Sequence, residues 1–221
     1  MHIEIEKHNG FPSNLGFMTF LKYFPPRFQV ETKYKSNRTV VYNFKDGVYN
    51  NMVDALFINY INSMLNTTQK SNHYFCIIPS SSILGTQNRF YSFCNRVSNN
   101  SGINNGYSLI QPSENRPTIH GSDHRDYSKV ISSLNFNSIA GKNILLCDDV
   151  ITTGKSYRLI ANHLMSLGAL SVRGLMLAKT HWLSSENIHI SSLEEGVLPD
   201  EEPPSVPPDL EYREPMDNFF I

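Results

Sequence analysis

Residues 143–156, Asn-Ile-Leu-Leu-Cys-Asp-Asp-Val-Ile-Thr-Thr-Gly-Lys-Ser, constrain what this chain can fold into more than any other stretch. Ile144, Leu145, Leu146 and Cys147 form the uninterrupted apolar run expected of a parallel strand buried on both faces. Asp148 and Asp149 follow at its carboxyl end, the edge where open α/β sheets take their ligands. After Val150 and Ile151, the residues Thr152, Thr153, Gly154, Lys155 and Ser156 open a segment with helical spacing at Leu159, Ile160, His163, Leu164 and Leu167. A turn of hydroxyl residues and glycine at a helix N-terminus offers backbone N–H groups and a positive dipole end, which suit a phosphate. Two carboxylates beside a phosphate cradle are reconciled by a sugar phosphate. The carboxylates accept hydrogen bonds from ribose hydroxyls or help to hold a divalent cation, and the threonine loop takes the 5′-phosphate.

Two other readings compete for the same residues. Gly154-Lys155-Ser156 copies the end of a nucleotide-triphosphatase loop, but that motif needs a glycine five positions earlier, where Asp149 stands. The plainer reading makes the acidic pair a cap at a strand-to-helix turn.

Around this stretch the chain alternates strand-like and helix-like segments. Residues 39–44 (Thr-Val-Val-Tyr-Asn-Phe) are β-prone and are followed by a Lys45-Asp46-Gly47 turn. Val53, Phe57, Tyr60 and Met64 predict a helix over 48–65, and residues 74–78 predict a second buried strand. Pro79, Ser80, Ser81 and Ser82 lie at its carboxyl end, before a helix expected over 83–97, and they read either as a ligand loop or as an ordinary serine turn and cap. A surface loop over 98–105, a strand over 107–110, a helix within 126–134 and a strand over 172–177 complete the pattern. Such alternation implies an α/β fold, an open and mainly parallel sheet flanked by helices, with a small hood or N-terminal addition. Three regions are expected: an N-terminal extension or hood over 1–38, the α/β domain over 39–183, and an acidic proline-rich tail over 184–221.

A chain of 221 residues suits one such domain with additions. The formal net charge of -1 gives no electrostatic reason to expect nucleic acid as a partner. Cys76, Cys94 and Cys147 are odd in number and lack metal-ligand spacing, which fits buried thiols in a reducing cytoplasm. Neither an export signal nor a run of membrane-spanning length is evident, so a cytoplasmic protein without membrane contact is expected.

The segment 145–156 resembles the ribose-5-phosphate loop of the type I phosphoribosyltransferases: hydrophobic strand, two acidic residues, two aliphatics, then Thr-Thr-Gly-x-Ser/Thr. Residues 44–47, 78–81 and 177–180 further resemble the competence-protein F group and its amidophosphoribosyltransferase-like relatives, without the cysteine zinc ribbon that often begins those proteins. The resemblance implies a Mg²⁺-dependent transfer of ribose 5-phosphate from phosphoribosyl pyrophosphate (PRPP) to a nitrogenous acceptor, with release of pyrophosphate. It implies Asp148 and Asp149 as catalytic residues at the ribose hydroxyls and the metal, and Thr152, Thr153, Gly154, Lys155 and Ser156 around the 5′-phosphate. Pro79, Ser80, Ser81 and Ser82 would bind pyrophosphate, with Arg89 as a further source of positive charge. His120, Arg125 and Lys129 would belong to a hood over 111–127 and its flank that closes on PRPP. Trp182 would stack on a planar base or cover an edge of the core. A homodimer is common in the family and is left open, as is a regulator that binds PRPP or a nucleotide without turning it over.

Overall fold

The structure, a computed structural model, describes residues 12–115 and 128–182. Its centre is a five-stranded sheet in which every pairing is parallel, in the order β1 (Phe17–Tyr23), β7 (Ser171–Thr180), β6 (Asn143–Ile151), β2 (His73–Ile77) and β3 (Asn104–Asn105). A second, two-stranded antiparallel ribbon pairs β4 (Ile110–Pro112) with β5 (Leu134–Phe136).

Alternate residues of β6 feed two cores. Leu145 and Cys147 join Phe90, Phe93 and Val97 of α4 (Ile83–Ser101) and Val53 and Phe57 of α2 (Asn51–Met64). Ile144 and Leu146 join Tyr157, Ile160 and Leu164 of α6 (Lys155–Ser166). Successive side chains of a strand point to opposite faces, so a run apolar at every position needs helices on both sides. The first core is largely aromatic: Phe93 meets Phe44, Phe57 and Phe75 edge-to-face at centroid separations of 4.9, 5.2 and 5.8 Å.

Several expectations are corrected. Residues 39–44 are not a strand but the second half of α1 (Thr32–Lys45). Their β-branched and aromatic residues favour a strand locally, yet Ser36, Asn37, Val40, Val41 and Phe44 recur at helical spacing and are the buried face. The expected boundary between residues 38 and 39 therefore falls inside a helix. Nor is the N-terminal part a separate addition as far as it is described, because β1 pairs with β7 from Phe17↔Gly174 to Tyr23↔Thr180 as the edge strand of the main sheet. The loop expected over 98–105 is the end of α4, Gly102 in its left-handed cap, and β3. The strand expected over 107–110 is a 3-10 turn at Tyr107–Leu109 leading into β4.

The remaining helices, α3 (Thr67–Ser71) and α5 (Ser128–Ser132), are short. Asn66 and Gln69 close a capping box on α3. Between α2 and α4, Arg96 grips Asp54 with Nε at 2.6 Å and its guanidinium lies over the Tyr49 ring at 4.6 Å. Arg96 keeps a third of its side chain in water while that of Asp54 is 10% exposed. Asp54→Ala is accordingly expected to destabilise by about 1–2 kcal/mol, below the cost of breaking a fully buried pair. Urea unfolding followed by circular dichroism checks this; an unchanged midpoint would show the pair to be idle.

Cys76, Cys94 and Cys147 are free and fully enclosed. Burial pushes all three thiols well above the ordinary cysteine range, so they stay protonated at neutral pH.

Candidate functional site

The strand order reverses between β2 and β6. From β2 the chain proceeds through α4 to β3 on one side, and from β6 through α6 to β7 on the other. Helices α4 and α6 lie on opposite faces, and a crevice opens at the carboxyl ends of the two strands where they diverge, the place where such sheets bind ligands. The Ile78 N–H donates to the Cys147 carbonyl at 2.8 Å, the last bond between these strands. Strand β6 continues beside β7 as far as Ile151↔Lys179. Residues 148–151 therefore stand beyond the end of β2, and the loop 79–82 faces them across the gap.

Asp148 is half-buried and its Oδ1 accepts the backbone N–H of Asp149 at 2.8 Å. Asp149 is buried, accepting the Val150 N–H on Oδ1 at 2.5 Å and Arg89 Nη1 on Oδ2 at 2.5 Å. Arg89 also donates from Nε to the Lys45 carbonyl at 3.0 Å, joining the end of α1 to α4 and β6. Burial first, and the adjacent Asp149 carboxylate second, hold the Asp148 carboxyl above the ordinary carboxylate range; the Asp149 N–H, the Arg89 guanidinium and the Lys45 ammonium act in the opposite direction.

Beyond the acidic pair, the Thr152 hydroxyl meets the Thr180 hydroxyl at 2.8 Å, fastening the loop to the end of β7. Thr153 Oγ1 accepts the Lys155 N–H at 3.5 Å, at the outer limit of a hydrogen bond. Gly154, with φ of +73°, occupies the N-cap of α6 and has no side chain to satisfy the first turn, so the N–H groups of that turn are presented toward the loop. A Cβ at Gly154 would also sit in a conformation unfavourable for L side chains. Residues 152, 153 and 155 are exposed and Ser156 is half-buried, as a loop that receives a ligand from solvent requires.

The serine loop is a mixed result. The Ser82 hydroxyl caps α4 by accepting the Gly85 N–H at 3.0 Å, and the Ser80 hydroxyl is engaged with the Ser82 carbonyl at 2.9 Å and Thr86 Oγ1 at 3.1 Å. The turn-and-cap reading thus holds for those two hydroxyls. Pro79 is buried, and Ser81 is half-buried with no hydrogen bond among the described residues. The Ile83 N–H is taken by Asn115 Oδ1 at 2.9 Å, which brings the far end of the β4 segment to the start of α4 beside this loop.

His120 and Arg125 lie outside the described residues, as do residues 1–11 and the expected tail over 184–221. Lys129 is exposed on α5. Trp182 is 52% exposed just past β7, with the Arg27 guanidinium 4.8 Å from its ring centroid. Arg89, expected as a further source of positive charge for pyrophosphate, pairs through Nη1 with Asp149. Lys45, expected in a turn, is instead the last residue of α1, and its ammonium acts on Asp148; its mark in the sequence is a cation directly before the Asp46-Gly47 stop.

Fold and crevice define an open α/β protein whose topological switch point has a glycine-capped helix N-terminus suited to a phosphate. A family model, the phosphoribosyl transferase domain, matches residues 99–182, which include β6, the acidic pair, the threonine loop and α6. Over that segment the chain is similar to the phosphoribosyl transferase domain. No curated protein matches the chain. Among the described residues no helix is long and apolar enough to cross a membrane.

Proposed function

We propose that this protein transfers ribose 5-phosphate from PRPP to a nitrogenous acceptor and releases pyrophosphate. The observation that carries this reading is the pairing of an acidic strand end with a glycine-capped helix N-terminus across one crevice. Residues 152–156 hold the 5′-phosphate through the first N–H groups of α6 and the threonine and serine hydroxyls. The acidic pair 148–149 faces the ribose, where a carboxylate stabilises the positive character that grows at C1 as the leaving group departs. Backbone N–H groups of residues 80–82 receive pyrophosphate, with Pro79 shaping the loop and Lys45 supplying positive charge at the same end of the crevice. His120, Arg125 and Lys129 remain proposed hood contacts that exclude water during transfer.

Mg²⁺ fits this donor set as an ion shared with the substrate. Among the described residues no group of three or more His, Cys, Asp or Glu side chains could hold a metal, while Asp148 engages only its Oδ1, with the Asp149 N–H. Such a cation takes most of its ligands from phosphates, hydroxyls and water, and when bound it neutralises charge on the leaving pyrophosphate. The resemblance to the competence-protein F group, a cytoplasmic location and a paired subunit belong to the same proposal.

The test is calorimetric titration with PRPP and Mg²⁺, followed by a pyrophosphate-release assay across a panel of nucleobases and simpler nitrogen nucleophiles. Saturable binding and release with at least one acceptor are expected. Binding without release from any acceptor would make the protein a PRPP-responsive regulator, and absence of binding at millimolar PRPP would remove the assignment.

A further inference from the structure

The formal charge of -1 hides a division along the chain. Residues 184–221 hold ten of the twenty acidic residues but only Arg213 of the nineteen basic ones, a charge of -9. Residues 1–183 keep eighteen basic and ten acidic residues, a charge of +8. The body of the protein therefore attracts polyanions, and a counter-charge of matching size is covalently attached to it. Strands β1 and β7 end side by side near the point of attachment, with Lys22↔Lys179 and Tyr23↔Thr180 in register and the His181 N–H given to the Tyr23 carbonyl at 2.8 Å. Like charges on register partners repel, so this pair favours an anion beside it. Arg27 adds a third, exposed cation, its guanidinium 4.8 Å from the ring centroid of Trp182 and 5.1 Å from that of Phe28. Stacking engages the faces of a guanidinium, whereas carboxylates are bound at its N–H edge. The turn that carries Arg27 is held from α1: Arg38 donates from Nε to the Phe24 carbonyl at 3.0 Å and from Nη2 to the Pro25 and Phe28 carbonyls, each at 3.1 Å. A built cationic patch thus stands around Trp182, two residues before the acidic segment.

We propose that residues 184–221 dock on the patch of Lys22, Arg27 and Lys179 and act there as an intramolecular competitor of anionic ligands. Covalent attachment sets the local concentration of carboxylates on the order of millimolar, so even a weak contact is populated. Reach is ample, since a segment of 38 residues spans up to roughly 120 Å when extended. Its six prolines restrict the backbone in advance, which lowers the entropy lost on docking. Strand β6 pairs with β7 as far as Ile151↔Lys179, and Thr152 is tied to Thr180, so the patch adjoins the threonine loop. Docked carboxylates repel a phosphate that approaches this loop. Docking requires no ribose ligand and is therefore independent of the phosphoribosyl reading.

Carbodiimide cross-linking of the full chain, mapped by peptide mass spectrometry, tests it. At about 20 mM salt, carboxylates of residues 194–202 are expected to link to Lys22 and Lys179 of the same chain about 5-fold more often than to Lys70 and Lys142. The latter two precede β2 and β6, at the opposite end of the sheet. Raising the salt to about 0.5 M should remove the preference, because a Debye length of about 4 Å screens exposed pairs. Arg27→Gln removes no group that the reagent links, yet it should lower the Lys179 links about 3-fold, the effect of losing one exposed ion pair. Links shared evenly among the four lysines would show unspecific attraction, and links found only between copies would show self-association; either result overturns the proposal. Absence of links overturns it too, and a single-stranded oligonucleotide bound by the chain in that case would make an external polyanion the occupant of the patch.

Discussion

Replacing Asp148 with asparagine is expected to raise the melting temperature of the protein while sharply lowering PRPP-dependent turnover. The amide is isosteric and its oxygen can still accept the Asp149 N–H, so the local geometry survives. What disappears is a negative charge confined by burial and by its acidic neighbour. The folded-state pKa of Asp148 lies above its unfolded value, so ionising it costs stability. That cost is absent below about pH 4, grows as pH rises through the folded pKa, and is fully present above it. The variant should therefore melt close to wild type in acid and progressively above it as pH increases, by roughly 2–4 °C for about 1 kcal/mol in a chain of this size. Turnover should fall on the order of 10²- to 10³-fold, the effect of losing one preorganised electrostatic contact. Differential scanning calorimetry at several pH values, paired with pyrophosphate release, reads both halves. A variant that is less stable and fully active would contradict the assignment of Asp148 twice over.

Gly47→Val should have the opposite character, damaging the fold first and the crevice as a consequence. Gly47 stands just past α1 with φ of +73°, a conformation that a β-branched residue adopts only under strain. A Cβ there would come within 2.6 Å of the Asn88 carbonyl oxygen in α4, a contact that a rigid helix backbone cannot relieve without moving. Together these effects are expected to cost about 3 kcal/mol or more, lowering the melting temperature by roughly 6–12 °C. Asn88 precedes Arg89, and Gly47 lies two residues beyond Lys45. The displacement therefore falls on the link between α1 and α4, and PRPP affinity should weaken with it. Thermal melts and titration on the same preparation check this; wild-type stability in the variant would refute the close approach of α1 to α4.

The motif at 143–156 was legible because it is local: strand, acidic pair, glycine turn and helix follow in unbroken order, and β6 and α6 form where their patterns predict. Strand β2 and helices α2 and α4 were legible for the same reason. The residues misread as strand at 39–44 failed because their propensity and their periodicity disagree, and packing against the sheet decided for the helix. Strand β1 was not legible because Phe17–Tyr23 shows no alternation of apolar and polar residues, and its strand identity comes from pairing with β7, more than 150 positions away. The role of Arg89 was illegible on the same grounds, since its partner lies 60 residues further along the chain. Sequence spacing places chemistry on an edge; which of two neighbouring carboxylates is already occupied depends on contacts that only the fold assembles.

The three enclosed thiols have a practical corollary. They sit on β2, α4 and β6, so a maleimide or disulfide reagent can reach them only when the central layer comes apart. Their modification rate in native buffer is therefore a clock for rare opening of the domain. Ligands that grip both sides of the crevice should slow that clock in proportion to how firmly they hold.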